Sequence, residues 1–428
     1  MPTIMRRVLP AAMACVQPTL VLSAGLAPIT PEALALRQSR GPAPLVIDVR
    51  SASEYAGHVP GAVLLPHDEI QQRLPELDLA LDREIILYCR SGRRAALAEH
   101  RLRALGVTNL RQLGGHWKRR EAGRLPGLPV SLIGAPTDVG AGHRGAAMGP
   151  EALRVAGIAQ ALLGRGLDVV DRGNLAGPVN PWSAPQEGYR HLDEVVAWNR
   201  AVMDAVAAEL ENGRLPVLLG GDHCLALGSI TAVARHCQRH GKALRVLWLD
   251  AHADFNTSQI TPSGNIHGMP VACLCGIGPQ ALTRLSGQAP MLRPEEVRQI
   301  GIRSVDEGER RLVREVGLDI YDMRYIDEIG MRQVMTQALY GVDDNTHLHV
   351  SFDVDFLDPA IAPGVGTTVP GGPNYREAQL VMEMIADSGR LSSLDVVELN
   401  PAFDVRNATA LLAVDLIESL FGKSTLMR

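Results

Sequence analysis

Apolar residues arrive along this chain in short runs separated by amphipathic stretches of helical length. Between residues 45 and 105 the runs Leu45–Val49, Ala62–Leu65 and Ile85–Tyr88 read as strands, and Arg93–Leu105 reads as a helix that Gly106 stops. This predicts a small α/β unit. A Gly/Pro cluster, Gly123-Arg124-Leu125-Pro126-Gly127-Leu128-Pro129, then interrupts the pattern and marks a linker. Beyond it the runs Val130–Ile133, Leu167–Val170, Leu215–Leu219, Leu244–Leu249, Leu348–Phe352 and Ser393–Val397 alternate with helix-length segments. Apolar strands divided by helices predict a parallel sheet covered on both faces. The organisation expected is an N-terminal extension at 1–26, a small α/β domain at 27–125, a linker at 126–129 and a large α/β domain at 130–428.

Composition narrows the partners. The 428 residues carry a formal net charge of −5 and no block of five like charges, which argues against a nucleic acid or an anionic membrane and for a small-molecule substrate. No run approaches the ~18 apolar residues that a membrane span requires. The six cysteines show neither disulfide-framework density nor zinc-type C-x-x-C spacing, so a reducing, cytoplasmic location is expected. Arg6 and Arg7 precede the apolar stretch Val8–Val16, but Pro10, Gln17 and Pro18 break it, and residues 1–26 read as an extension rather than a secretion signal.

In the first domain, strand Ile85–Tyr88 runs into Cys89-Arg90-Ser91-Gly92-Arg93-Arg94 and then a helix. A cysteine at a helix N-terminus, near backbone N–H groups and three arginines, is expected to be a reactive thiolate. This segment resembles a rhodanese-like domain. The motifs that carry the resemblance are Ile47-Asp48-Val49-Arg50 with Glu54-Tyr55-Ala56-Gly57-His58-Val59-Pro60-Gly61-Ala62, the Cys89 loop, and Leu113-Gly114-Gly115-His116-Trp117. The resemblance implies a persulfide-forming Cys89 with a sulfur donor or acceptor as partner, serving sulfur transfer, sensing or regulation. A phosphatase would need arginine six residues after the nucleophile, where Ala95 stands.

The second domain concentrates ligand-type side chains at strand ends. Leu215–Leu219 leads to Gly220-Gly221-Asp222-His223, Leu244–Leu249 to Asp250-Ala251-His252-Ala253-Asp254, and Leu348–Phe352 to Asp353-Val354-Asp355. Open α/β sheets bind ligands at the carboxyl ends of their strands, and residues at i, i+2 and i+4 of an extended segment point the same way. His223, Asp250, His252, Asp254, Asp353 and Asp355 are therefore expected to converge. Two imidazoles and four carboxylates exceed the needs of one tetrahedral zinc and suit two octahedral ions, with oxygen-rich ligation pointing to manganese. Such a pair would acidify a shared water and serve a hydrolase.

These clusters resemble the arginase and agmatinase family of ureohydrolases across about residues 130–420. The resemblance implies a three-layer α/β/α domain with a mainly parallel eight-stranded sheet, assembled as a homo-oligomer, trimer or hexamer. It implies two Mn2+ per subunit, one held by His223, Asp250, Asp254 and Asp353 and the other by Asp250, His252, Asp353 and Asp355. Asn256, Thr261, Ser263 and Asn265 match the family loop for a substrate α-carboxylate, and Asp306, in Gly301-Ile302-Arg303-Ser304-Val305-Asp306, the acid for an α-amino group. Thr367 and Glu398 match the guanidinium-side positions. The activity implied is hydrolysis of L-arginine to L-ornithine and urea, with Glu398 holding the guanidinium, Asp254 passing a proton to the leaving amine and His267 relaying protons. Cys224, Ser304 and Thr368 depart from the commonest family pattern, and Ser304 leaves another guanidino compound, agmatine or guanidinobutyrate, as the alternative substrate, with the rhodanese-like domain as a non-catalytic module.

Overall fold

The computed structural model describes residues 29, 34, 37, 44–52, 55, 59, 61–73, 83–89, 93–113 and 127–424. The described residues fall into two compact units. In the smaller one, β1 (Leu45–Asp48), β2 (Val63–Leu64), β3 (Ile85–Tyr88) and β4 (Leu110–Gln112) form a parallel sheet in the order β2-β1-β3-β4. Its motif Ile47-Asp48-Val49-Arg50 is structural: Arg50 forms a buried two-pronged pair with Asp48 (Nε–Oδ1 2.9 Å, Nη2–Oδ2 2.6 Å). Tyr88 donates its hydroxyl to Asp48 Oδ2 at 2.6 Å and accepts from Val59 N–H at 3.0 Å. The expected extension at 1–26, the residues Arg90, Ser91 and Gly92 of the cysteine loop, and Gly114 to Trp117 lie outside the described residues.

The larger unit holds an eight-stranded sheet in which every neighbouring pair is parallel: β5 (Pro129–Ala135), β6 (Asp168–Asn174), β7 (Leu215–Gly220), β8 (Ala243–Leu249), β9 (Val297–Ile302), β10 (Asp319–Asp322), β11 (Thr346–Asp353) and β12 (Leu391–Val397), in the order β10-β9-β8-β11-β12-β7-β5-β6. Side-chain alternation divides the interior into two cores. Leu215, Val217 and Leu219 of β7, Leu247 and Leu249 of β8, and Leu348, Val350 and Phe352 of β11 pack against helices that include Tyr375–Ser388 and Ala408–Leu420. Leu218, Val246 and Trp248 face the opposite way, onto Leu192–Glu211 and Ala226–His240. This is the three-layer arrangement that the apolar pattern predicts.

All six strands read from that pattern are present, shifted at their ends by a few residues. Three were not legible. β9 (Val-Arg-Gln-Ile-Gly-Ile) is broken by polar residues, β10 is a four-residue edge strand with two aspartates, and β4 has three residues. β6 also runs to Asn174 rather than Val170, because an edge strand with one half-exposed face tolerates the polar Asp171–Asn174. Among the described residues no helix is long and apolar enough to cross a membrane.

The strands that matter chemically are neighbours. β8, β11, β12 and β7 lie side by side in the middle of the sheet, so their carboxyl ends deliver Asp250, Asp353, Glu398 and His223 to one edge. The turn after β7 depends on Gly221, where a Cβ would sit 1.7 Å from Thr137 O. Gly221→Ala should therefore force two backbone segments apart and cost about 2–3 kcal/mol or more. Differential scanning calorimetry should show the larger unit's transition several degrees lower, and an unchanged transition would show that the turn has room.

Candidate metal centre and substrate pocket

His223 opens a single turn of 3₁₀ helix after β7, capped by Asp222, whose Oδ1 accepts from Cys224 N–H at 3.0 Å. Its Nε2 is fixed by Ser351 Oγ at 2.9 Å and its ring stacks on Trp248 at a centroid separation of 4.0 Å. Nδ1 is thereby aimed at three carboxylates, Asp250 Oδ2 at 3.0 Å, Asp353 Oδ2 at 3.0 Å and Asp254 Oδ2 at 3.3 Å, yet makes no well-formed hydrogen bond. His252 Nδ1 lies 3.1 Å from Asp355 Oδ2 and 3.5 Å from Asp250 Oδ1. Two ligand groups result, His223-Asp250-Asp254 and Asp250-His252-Asp355, sharing Asp250.

The aspartates are held by donors that do not point into the centre. Asp353 Oδ1 accepts from Asp355 N–H at 2.7 Å and Asp355 Oδ1 from Ala251 N–H at 3.1 Å, which leaves Oδ2 of each for the cluster. Asp250, fully buried, accepts from Trp248 Nε1 at 2.8 Å and His252 N–H at 2.6 Å. The extended alternation expected through Asp254 breaks at that residue. Its φ of +48° is left-handed, and this bend returns its carboxylate to His223 instead of letting the chain run on.

Four carboxylates this close repel one another. Burial and the neighbours Asp355 and Asp250 push Asp353 well above the usual carboxylate range, and burial with Asp250 lifts Asp254 to about 6. An unsatisfied buried imidazole nitrogen facing crowded carboxylate oxygens fits a cation held between them. The donor set, two imidazoles among oxygens, fits two hard to borderline divalent ions.

Glu398 follows β12 at a left-handed φ of +62°, with its N–H donating to Gly221 O at 2.8 Å. Its Oε1 accepts from His223 N–H and from His267 Nδ1, both at 2.8 Å. Burial pulls the His267 imidazole down, but the Glu398 carboxylate more than offsets this and raises it to about 9.

The other expected residues line the same cavity of about 250 Å³: Asn256, Thr261, Ser263, Asn265, Asp306 and Thr367. Asn256 Nδ2 donates to Asp306 Oδ2 at 3.0 Å, and Thr367 Oγ1 to Asp355 Oδ2 at 3.0 Å. Thr261 Oγ1 accepts from the N–H groups of Ser263 (3.3 Å) and Gly264 (3.1 Å), and Ser263 Oγ from Asn265 N–H (3.2 Å). With their oxygens accepting from backbone, both hydroxyls have their own protons free to donate. Glu309 also lines the cavity; burial raises it to about 7, and it accepts from Phe255 N–H (2.8 Å) and Asp306 N–H (3.1 Å). The Asp306-Glu307-Gly308-Glu309 spacing of a capping box was the sequence signal for it. Trp248 and Ser351 were not among the expected residues; the signal for them is their place two residues before Asp250 and Asp353 on the same strand face. Cys89 belongs to the smaller unit, where its Sγ accepts from Ala95 N–H at 3.3 Å in the first turn of the helix Arg93–Ala104.

A parallel α/β/α domain with paired His/Asp clusters at the carboxyl edge of its central strands is the architecture of a metal-dependent hydrolase. Residues 128–422 match the family model for the arginase family, and residues 30–121 that for the rhodanese-like domain. The chain is 46% identical over 307 residues to an arginase of Brucella melitensis and 44% identical over 300 residues to an arginase of Bacillus caldovelox, covering 98% of each while using 70% and 69% of its own length. The crystal structure of the Bacillus caldovelox arginase superposes with a TM-score of 0.66 at 43% identity, spanning 70% of this chain and 99% of that one. This chain belongs to the arginase family and carries a rhodanese-like domain ahead of the hydrolase.

Asp250 belongs to both ligand groups, so Asp250→Asn should remove more than one ion's worth of binding. Elemental analysis after manganese loading is expected to give fewer than one ion per chain against two for the wild type. Two ions retained in the variant would reject the shared-ligand assignment.

Proposed function

We propose that the larger unit hydrolyses L-arginine to L-ornithine and urea, with His223, Asp250, His252, Asp254, Asp353 and Asp355 holding two Mn2+. The observation that carries this reading is the lining of the pocket. Six carboxylates, Asp254, Asp306, Glu309, Asp353, Asp355 and Glu398, face it with no lysine or arginine among the described lining residues, beside the hydroxyl and amide donors of 256–265. Such a cavity suits a cationic guanidinium at one point and an amino-acid end at another. When bound, the cation pair supplies an acidified water that is largely hydroxide near neutral pH.

The chain's own groups do the rest. Glu398 Oε1 is occupied by His223 N–H and His267, which leaves Oε2 for the guanidinium; that cation keeps its charge and pairs with the carboxylate. Thr367, tied to Asp355, borders the guanidinium side. Asp254 hands the proton from the attacking water to the departing nitrogen as the carbon–nitrogen bond breaks. His267, kept protonated by Glu398, supplies and recovers protons from solvent. Asn256, Thr261, Ser263 and Asn265 hold the α-carboxylate, and Asp306 holds the α-amino group.

For the smaller unit we propose a sulfur-handling role at Cys89, whose Sγ faces a helix N-terminus where an anion is stabilised. Residues 27–125 and 130–428 are assigned as the two domains, joined by 126–129.

A panel of L-arginine, agmatine and guanidinobutyrate with manganese-loaded enzyme, scored by urea release, tests the substrate. Each unpaired buried polar group costs ~1–3 kcal/mol, so agmatine should be at least ~10-fold poorer in kcat/KM. Asp306→Ala should damage arginine turnover far more than that of guanidinobutyrate, which has no amino group. Equal kcat/KM for agmatine and arginine would leave the family assignment standing and remove its substrate. Separately, Cys89→Ser should abolish thiocyanate formation from thiosulfate and cyanide while urea release stays within two-fold. A wild type that forms no thiocyanate would rule out turnover of thiosulfate.

A further inference from the structure

The carboxylate end of the substrate poses an electrostatic difficulty. The pocket is lined mostly by acids, and an α-carboxylate entering it meets no lysine or arginine in the lining. An arginine stands a layer behind. Arg190 Nε donates to Asn265 Oδ1 at 2.9 Å, its Nη1 donates to Ser183 O at 3.0 Å, and its backbone N–H donates to Gly264 O at 2.8 Å. A guanidinium can only donate, so this contact fixes the Asn265 amide with its oxygen toward Arg190 and its NH2 turned away. Asn265 Nδ2 has no protein partner among the described residues.

The segment that presents Arg190 is built for close approach. Gln186 and Tyr189 exchange backbone hydrogen bonds of 2.8 and 2.9 Å in a tight turn. Gly188 and Gly264 are both left-handed, and a Cβ would lie 2.6 Å from Ser258 O at the first and 2.8 Å from Pro185 Cβ at the second. The buried His191 closes the far side, its Nδ1 at 2.8 Å from Val139 O and its Nε2 accepting from Ser183 N–H at 3.0 Å. The loop 183–191 is thus locked onto the loop 258–265 by backbone contacts.

We infer that Arg190 is a specificity-determining positioning residue, which orients Asn265 as a donor at the carboxylate end of the pocket. It acts through Asn265 and completes a set of three donors with the Thr261 and Ser263 hydroxyls. The inference rests on the proposed pocket only in requiring a substrate that bears a carboxylate. It is separable from the identity of that substrate, because guanidinobutyrate carries the carboxylate and agmatine does not.

The test is steady-state kinetics of manganese-loaded wild type, Arg190→Ala, Asn265→Ala and the double variant on L-arginine, guanidinobutyrate and agmatine. Arg190→Ala should raise KM for both carboxylate-bearing substrates about ten-fold with kcat within two-fold, and change kcat/KM for agmatine less than two-fold. The double variant should be no worse on arginine than about two-fold beyond Asn265→Ala, since one residue works through the other. Equal losses on all three substrates would mark Arg190 as structural and overturn the inference while arginine remained the preferred wild-type substrate. Additive effects in the double variant would overturn the route through Asn265. A wild type that prefers agmatine would overturn both this inference and the substrate reading.

Discussion

The constraint on which the larger unit depends is the burial of four aspartates around two histidines. Two unit charges ~4 Å apart in a medium of effective dielectric ~20 interact by ~4 kcal/mol, so this group is costly unless each member is held and compensated. The fold does both. Asp353 and Asp355 each spend one oxygen on a backbone N–H, Asp250 takes the Trp248 indole and His252 N–H, and the remaining oxygens face His223 and His252. The backbone bend at Asp254 and the left-handed Glu398 are local strain of about 1 kcal/mol or more each, kept by the surrounding hydrogen bonds. Cations held by these oxygens would relieve the residual repulsion and so would stabilise this edge of the sheet.

That edge exists because strands distant in sequence become neighbours. β11 and β12 insert between β7 and β8, so the carboxyl ends of four central strands bring His223, Asp250, Asp353 and Glu398 into one small volume. The two cores on either face of the sheet hold these strands in register, and the polar residues of β11 alternate with its apolar ones. Leu348, Val350 and Phe352 go to one core, while Ser351 reaches His223 and Asp353 the centre. One period-two pattern therefore serves packing and ligation at once.

The pocket uses the same economy in sign. Carboxylates dominate one part of the lining, and the hydroxyl and amide groups of residues 256–265 stand in another. Backbone N–H groups fill the acceptor sites of Thr261 and Ser263, and Arg190 fills that of Asn265, so each of these side chains is left as a donor. Orientation of neutral groups, more than net charge, distinguishes the two ends.

Much of this was readable from the chain itself. The six longer apolar runs located six of the eight strands, and the dense Asp/His clusters after three of them located the side chains that gather at the sheet edge, since both signals are local and periodic. Thiol placement after β3, with a helix starting at Arg93, was likewise a matter of adjacent residues. What sequence order could not determine was anything set by approach across distance. The edge strands β9 and β10 depend on pairing rather than on their own apolarity, and the left-handed bends at Asp254 and Glu398 are imposed by partners. The tie from Glu398 to both His223 and His267, and the lock of Arg190 on Asn265, join segments 75 to 175 residues apart. Local periodicity reports which face a residue takes; only the packed sheet decides which faces meet.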